Sequence, residues 1–282
     1  MYYIGIDLGC SNIKIVVFEN FTLKEKRIFI NDFQNINSDL IKKFIYEMCD
    51  SNEIELFITG GKSNYIKKEE FDFPVNIVNE LAAIAYGGYY FYPFDKRFLV
   101  VSIGTGTAMV SFKYNEYRHI GGTGIGGGTL LGFTRFLFDG ADVNLLFEFA
   151  QKGQNSKIDI TVGDIVGSGI GIVPSDATAS HLGNLKSNSS KESISFGIVN
   201  MVATEIANLA VITARAELVD KIIFIGTPLE NRIFSDILIR RISMLEKPIT
   251  PVVPLNPSFG TAIGAIYFNK FNKWELQNEK NN

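Results

Sequence analysis

"YRHIGGTGIGGGTLLGF", residues 117–133, places six glycines among the eight positions from Gly121 to Gly128, directly after Arg118 and His119. A glycine in an ordered chain costs conformational entropy, so a run this dense needs a use: positive φ, or the close approach of main-chain N–H groups to a ligand. A flexible connector would be polar on both sides, whereas this run leads into "TLLGFTRFLF", whose apolar residues recur at helical spacing. The glycines therefore end at a helix N-terminus, where orphan N–H groups and the helix dipole favour phosphate. Of the two uses that remain, a phosphate seat and a purely structural turn, the first is favoured.

The rest of the composition allows such a site. The 282 residues, 46% hydrophobic and 20% charged, suit one large or two ordinary α/β domains. A net charge of −3, with lysines scattered in mixed-sign segments such as "TLKEKR", gives no footprint for nucleic acid or for an anionic membrane. Cys10 and Cys49 are too few for a disulfide framework or a four-ligand metal site, which fits free thiols in a reducing cytoplasm. A strand expected from Tyr2 leaves no room for a signal peptide, and no stretch of about 18 apolar residues lacks polar interruption. A soluble, cytoplasmic protein is expected.

Along the chain, "YYIGIDLG" and "NIKIVVFEN" read as strands around a tight turn, and "TLKEKRIFIN" as a third strand. A helix follows over "SDLIKKFIYEMCD", with Ser38 as its expected N-cap. "IELFITGG" is a compact strand, and "LAAIAYGGYYFY" a small-residue buried helix. The opening plan then recurs roughly 95 residues later in "RFLVVSIGTGTAMVSFKYNEYRHIGG": apolar strand, Gly/Thr turn, second strand, turn, and onward. Two such modules predict two similarly folded halves. Beyond the glycine run, "TRFLFDGADVNLLFEFAQKG" is helical in pattern, and "KIDITVGDIVGSGIGIVPSDATASHLGNL" is irregular and punctuated by glycine. The segment "ESISFGIVNMVATEIANLAVITARAELVD" is helical and so apolar that it must be deeply buried or shared with another subunit. The chain closes with a strand "KIIFIGTPL", a helix "NRIFSDILIRRISMLE", an edge segment "ITPVVPL", a small-residue helix "SFGTAIGAIYFNKF" and a polar tail expected to fray from Gln277.

Asp7 ends the first strand beside a turn of Gly9, Cys10, Ser11 and Asn12, with Lys14 on the next strand. A carboxylate so placed orients a hydrated Mg²⁺ while the turn amides and the lysine meet phosphate oxygens; the alternative is an aspartate that only caps the turn. The same plan of main-chain donors recurs in "SIGTGT", where Thr105 and Thr107 add hydroxyls, and again in the glycine run. His181 reads as a packing residue, and Lys62 and Lys67 as solvated.

This tripartite pattern resembles the actin and sugar-kinase superfamily and, within it, type II pantothenate kinase. "GIDLGCSNIK" is similar to that family's GIDxGGTxxK, and "SIGTGT" to its [NS]-[IV]-G-[TS]-G turn. "VNELAAIAYG", "IGGTGIGGGTLLG", "VPSDATASHLG", "FIGTPL" and "FGTAIGAIYF" match further family segments in order. The first motif alone would also suit sugar kinases and dehydratase activators, but an activator needs cluster-binding cysteines that are not evident.

The resemblance implies an α/β fold of two related actin/ribonuclease H-like domains flanking an ATP cleft. The expected boundaries are 1–95, completed by the C-terminal helix near 260–275, and 96–260. It implies an ATP- and Mg²⁺-dependent kinase acting on pantothenate in the first step of coenzyme A synthesis, assembled as a homodimer. Glu80 takes the place of the general base. Gly9, Cys10, Ser11, Asn12, Lys14, Thr105, Gly127, Gly128 and Thr129 become the ATP phosphate contacts, Gly226 and Thr227 lie near the nucleotide, and Asp7 holds Mg²⁺ through water.

Four positions depart from the pattern. His119 stands where the family has an arginine that meets substrate and transferring phosphate, with Arg118 one residue earlier; Ala108 replaces a serine that helps bind pantothenate; Cys10 and Ser11 replace Gly and Thr. Neighbouring strand residues point to opposite faces, so Arg118 can substitute for the missing arginine only through a bulge or twist. The nucleotide half is preserved and the acceptor half altered. A kinase acting on another hydroxyl, such as an amino sugar, and a nucleotide- or acyl-CoA-binding regulatory protein with little catalysis remain alternatives.

Overall fold

A computed structural model describes residues 1–30, 36–49, 53–140, 142–153, 158–244 and 249–278. Two five-stranded sheets share one topology. In the first, β1 (Tyr2–Leu8), β2 (Asn12–Glu19) and β3 (Thr22–Ile30) form an antiparallel meander, and β4 (Ile54–Thr59) and β5 (Val75–Ile77) extend it in parallel, in the order β3-β2-β1-β4-β5. The second sheet repeats this with β6 (Arg97–Ile103), β7 (Thr107–Lys113), β8 (Glu116–Thr123), β11 (Lys221–Ile225) and β12 (Thr250–Val252), in the order β12-β11-β6-β7-β8. Even the hairpins agree. Asn20 and Phe21 join β2 to β3, Tyr114 and Asn115 join β7 to β8, and all four have positive φ, the two-residue turn whose twist matches that of its strands.

The helices separate and cover these sheets. The side of the first sheet carrying Ile4, Ile6, Leu8, Ile13 and Ile15 is sealed by α1 (Ser38–Met48) through Ile41 and Ile45. The other side meets α2 (Glu80–Phe91) and α8 (Gly260–Asn278), which also meet Phe98, Val100, Val110 and Phe112 of the second sheet. The two halves thus share one hydrophobic core with α2 and α8 between them. These helices lie almost backbone to backbone: a Cβ on Gly87 would run into the Gly260 carbonyl, one on Gly264 into that of Ala83, and one on Gly5 of β1 into that of Ala262.

Behind the second sheet, Leu99, Val101 and Ile103 pack on α4 (Val143–Lys152), α6 (Lys191–Ala216) and α7 (Arg232–Met244). α6 is long and apolar enough to cross a membrane, although the polar residues within it had argued otherwise; 67% of its apolar stretch is buried inside the protein. Its composition is accounted for by the chain's own core, the first of the two uses read from the sequence.

The structure moves several expected boundaries. Asn37, not Ser38, caps α1, because its Oδ1 accepts from the Leu40 N–H at 2.9 Å while Ser38 is already helical. The helix expected over 134–153 is two, α3 (Gly127–Phe138) and α4. Left-handed Asp139 and Gly140, φ 50° and 82°, end the first, and Asp142 caps the second. The irregular stretch contains a hairpin of β9 (Ile160–Thr161) and β10 (Thr178–Ser180), with the short α5 (Val162–Val166) between. α8 runs to Asn278, past the point where fraying was expected; 279–282 lie outside the described residues.

Candidate functional site

Asp7 and Lys14 are directly opposite each other on β1 and β2, on either side of the turn at 9–11. Lys14 Nζ donates to Asp7 Oδ2 at 3.2 Å, and both residues are buried. Beside them β4 brings Thr59 into register with Asp7 and passes into Gly60, where an added Cβ would come within 2.8 Å of Asp7 Oδ1. Among the described residues, the wholly buried Thr59 hydroxyl meets no hydrogen-bond partner.

Glu80 begins α2, where Asn79 caps the helix by accepting from the Leu81 and Ala82 N–H groups. Water reaches the Glu80 carboxyl, yet enough protein surrounds it that lost solvation is the leading influence on its ionisation. Burial pushes its pKa above the ordinary value, Asp7 adds to the rise by like-charge repulsion, and Lys14 opposes it in part. The fold thereby brings residues 7, 14 and 80 within each other's electrostatic reach. A carboxylate poised above its usual range suits proton acceptance near neutral pH.

The second half gathers its loops in the same manner. The Gly127 N–H donates to the Gly104 carbonyl at 2.7 Å and the Gly128 N–H to that of Thr105 at 2.9 Å, seating the glycine run on the "SIGTGT" turn. Thr107 Oγ1 donates to the Ile125 carbonyl at 2.8 Å, the Gly126 N–H to Thr129 Oγ1 at 3.1 Å, and the Thr129 N–H to the Gly126 carbonyl at 3.1 Å. These N–H groups, expected to face a phosphate, are hydrogen-bonded within the protein in this conformation. Among the described residues, no acceptor meets the N–H of Thr105 or Gly106 in the same turn. Gly226 closes the group: its φ is 125°, a Cβ there would strike the Ile103 carbonyl, and its N–H donates to the Pro257 carbonyl at 2.9 Å. Thr227 follows it, and Pro228 lies beside Gly127.

Arg118 and His119 part company as strand geometry requires. Arg118 pairs across the sheet with Ser111, and its guanidinium donates to Glu217 Oε1 at 2.8 Å, at the C-terminal end of α6. Lys113 Nζ lies 3.1 Å from the other oxygen of the same carboxylate. Burial works against ionisation of Glu217, but Ser111, Lys113 and Arg118 outweigh it and hold its pKa below the usual range. His119 pairs with Val110, whose side chain belongs to the core around α2, so the imidazole is on the sheet face that carries that helix. A register shift does occur here, but Ile120, after His119, is the extra residue. It does not turn Arg118 round. Cys10 is exposed, and Ala108 pairs with Gly122 on the His119 face.

A polar knot in the second half was not anticipated. Asp159, completely buried, accepts from the Leu182 N–H and from Asn200 Nδ2 at 2.8 Å each, and from Thr178 Oγ1 at 3.1 Å. His181 Nδ1 lies 3.4 Å from it, with Nε2 3.6 Å from Glu205. Burial alone would raise the Asp159 pKa; His181, the Leu182 N–H and Asn200 together bring it below the ordinary value. His181 thus lies between Asp159, at the base of the β9–β10 hairpin, and Glu205 of α6. The one signal available in the sequence was a polar residue at a core position of "KIDIT".

No group of three or more His, Cys, Asp or Glu side chains able to cage a metal occurs among the described residues. Asp7, with one oxygen on Lys14, suits a cation that keeps its water shell better than one held by the protein alone.

Comparison with known proteins speaks to the family and the fold. The Fumble family model matches residues 34–245. A type II pantothenate kinase of Bacillus cereus (strain G9842) is 30% identical over 273 residues, 93% of this chain and 97% of the relative. Among solved structures, the activator of the 2-hydroxyisocaproyl-CoA dehydratase from Clostridium difficile with bound ADPNP superposes with a TM-score of 0.66 at 18% identity, covering 98% of each chain. A ROK family glucokinase from Streptomyces griseus in complex with glucose and AMPPNP gives 0.62 at 12% identity, over 94% of this chain and 98% of its own. At such identities these structures speak for the fold, an α/β architecture shared with actin-like ATPases and ROK kinases. The family model and the relative carry more: the resemblance read from the motifs holds, and the chain belongs to the Fumble family of type II pantothenate kinases, enzymes that are phosphotransferases.

Proposed function

We propose that this enzyme transfers the γ-phosphoryl group of ATP to the hydroxyl of pantothenate, the first step of coenzyme A synthesis. The observation that carries the reading is Glu80, a partly desolvated carboxylate at the start of α2, within electrostatic reach of the buried Asp7–Lys14 pair. In this reading Glu80 accepts the hydroxyl proton as the oxygen attacks phosphorus in line. Lys14 and the turn Gly9, Cys10, Ser11 and Asn12 hold phosphate oxygens from one half, and Thr105, Gly127, Gly128 and Thr129 from the other. Gly226 and Thr227 border the nucleoside. Asp7 would hold Mg²⁺ through water, and the ion would supply neutralisation of charge on the phosphates. Residues 1–95 with the C-terminal helix form one lobe, and 96–260 the other. The solved relatives that hold ADPNP and AMPPNP support ATP as the donor.

A second reading concerns the acceptor alone. Arg118 is engaged by Glu217 on the α6 side, so the face that carries α2 offers His119 where the family offers a guanidinium. An imidazole there weakens stabilisation of transition-state charge and shifts acceptor preference, toward an amino sugar for example. Reduced thiols at Cys10 and Cys49 fit the cytoplasm. A homodimer rests on family resemblance, since the apolar length of α6 is buried within the chain.

ADP release by the purified protein, measured against pantothenate, pantetheine and amino sugars, tests these readings. Turnover on pantothenate, lost in Glu80→Gln, is the expected result. Turnover on sugars alone replaces pantothenate with the second acceptor class, and nucleotide binding without acceptor-dependent turnover overturns the kinase reading in favour of a regulatory protein.

A further inference from the structure

A cavity of about 380 Å³ opens between the β9–β10 hairpin, α6 and α7, and none of the candidate catalytic residues lines it. The size is within the range of small-molecule sites, about 300–1,000 Å³. Phe196, Ile237 and Met244 give it apolar walls, Asn200 and Thr204 a polar side, and Arg240 and Arg241 two cations. The polar side is rigidly built, because buried Asp159 holds both Asn200 and Thr178.

The two arginines are differently placed. Arg240 is matched at the rim by Asp176 at 2.6 Å. Arg241 is half-buried, and its Nε donates to the neutral amide oxygen of Asn208 at 2.8 Å. Among the described residues no carboxylate lies within ion-pair distance of it, and Glu205, facing His181 at 3.6 Å, acts on it only from further away. Burial accordingly pushes the Arg241 pKa down, with Glu205 opposing. A desolvated guanidinium with unengaged nitrogens is costly by itself and is satisfied well by a planar or tetrahedral anion. Its position in the last turn of α7 offers partial compensation from the helix dipole.

We propose that this cavity binds a small organic anion, a carboxylate or phosphomonoester with a short hydrocarbon portion, its charge on Arg241 and Arg240 and its chain against Phe196, Ile237 and Met244. The site is independent of the phosphoryl-transfer reading, and so is its test. Hexanoate, butyl phosphate and neutral hexanol are titrated calorimetrically into the full chain with a non-hydrolysable ATP analogue in excess. Saturable binding of at least one anion, at least tenfold tighter than hexanol, is expected, with a loss of tenfold or more in Arg241→Gln and retention in Glu80→Gln. Hexanoate binding assigns a carboxylate head and butyl phosphate binding a phosphate head. Where Arg241→Gln does not fold, Arg240→Gln and the wild-type preference over hexanol decide. Equal affinity for hexanol, no saturable binding, or full affinity in the arginine variants overturns the proposal and leaves Arg241 as a C-terminal partner of α7.

Discussion

Replacing Lys14 by methionine keeps the volume on β2 and removes the charge facing Asp7. The two charges lie 3.2 Å apart, with side chains 9% and 8% exposed. At an effective dielectric constant of about 20, unit charges at that separation attract by roughly 5 kcal/mol, a gross figure from which desolvation of both groups must be deducted. The variant loses the attraction but retains the desolvation of Asp7, so its expected destabilisation is about 3–5 kcal/mol, the usual cost of breaking a buried pair. Asp7→Asn strands the lysine in the same way. The double variant Asp7→Asn, Lys14→Met removes both charges and recovers most of the loss, since neutral replacements of buried pairs are often tolerated. Urea denaturation at pH 7 measures all four proteins as a double-mutant cycle, and a parallel assay of ADP release on pantothenate shows no recovery of activity in the double variant. A Lys14→Met midpoint equal to wild type, or a double variant less stable than either single one, would refute the picture of a mutually dependent buried pair.

Glu80→Gln is expected to lower turnover by about 10²–10⁴-fold, the usual worth of a general base. Because the Glu80 carboxyl titrates above its ordinary 4.5 in the folded chain, its contribution to stability is full below that value and lost as pH rises through the folded pKa. Thermal denaturation therefore finds Glu80→Gln more stable than wild type at pH 7 and equal near pH 4; a less stable variant at pH 7 contradicts the assigned shift. Gly226→Ala places a Cβ against the Ile103 carbonyl at a φ of 125° and costs about 1–3 kcal/mol in backbone strain, with weaker nucleotide binding by calorimetry; wild-type values for both would show that the turn relaxes freely. His119→Arg restores a guanidinium to the α2 face and raises the rate on pantothenate about tenfold, a fraction of the 10³–10⁵ that such arginines contribute elsewhere. An unchanged rate and acceptor preference would make His119 a bystander.

The repeated halves were legible because β1 and β6 are central strands buried on both faces, so their apolar runs stand out from the sequence. The helix after the glycine run was legible from its spacing. The break between α3 and α4 was missed because apolar residues continue at helical spacing across Asp139 and Gly140, a turn signal outweighed by periodicity. Composition made α6 apolar but does not say whether a sheet or a second subunit covers it. Within the site, Asp7 and Lys14 could be paired as hairpin neighbours, whereas Glu80, more than sixty residues away, was reachable only through family resemblance. The internal engagement of the Gly127 and Gly128 N–H groups, and the knot joining Asp159 to Thr178, His181 and Asn200, depend on tertiary contacts that leave no local pattern.

The backbone-to-backbone seam between α2 and α8 bears on how this chain tolerates mutation. Gly5, Gly87 and Gly264 offer no charge, hydroxyl or nucleophile, yet each is a place where one methyl group meets a carbonyl oxygen. Because these helices form the shared floor of both halves, enlarging any of the three shifts the Glu80 end of α2 relative to the "SIGTGT" turn. Saturation mutagenesis scored by growth would thus return a second set of intolerant positions, ranked by side-chain volume alone, and a search guided by polarity or reactivity would pass over all of them.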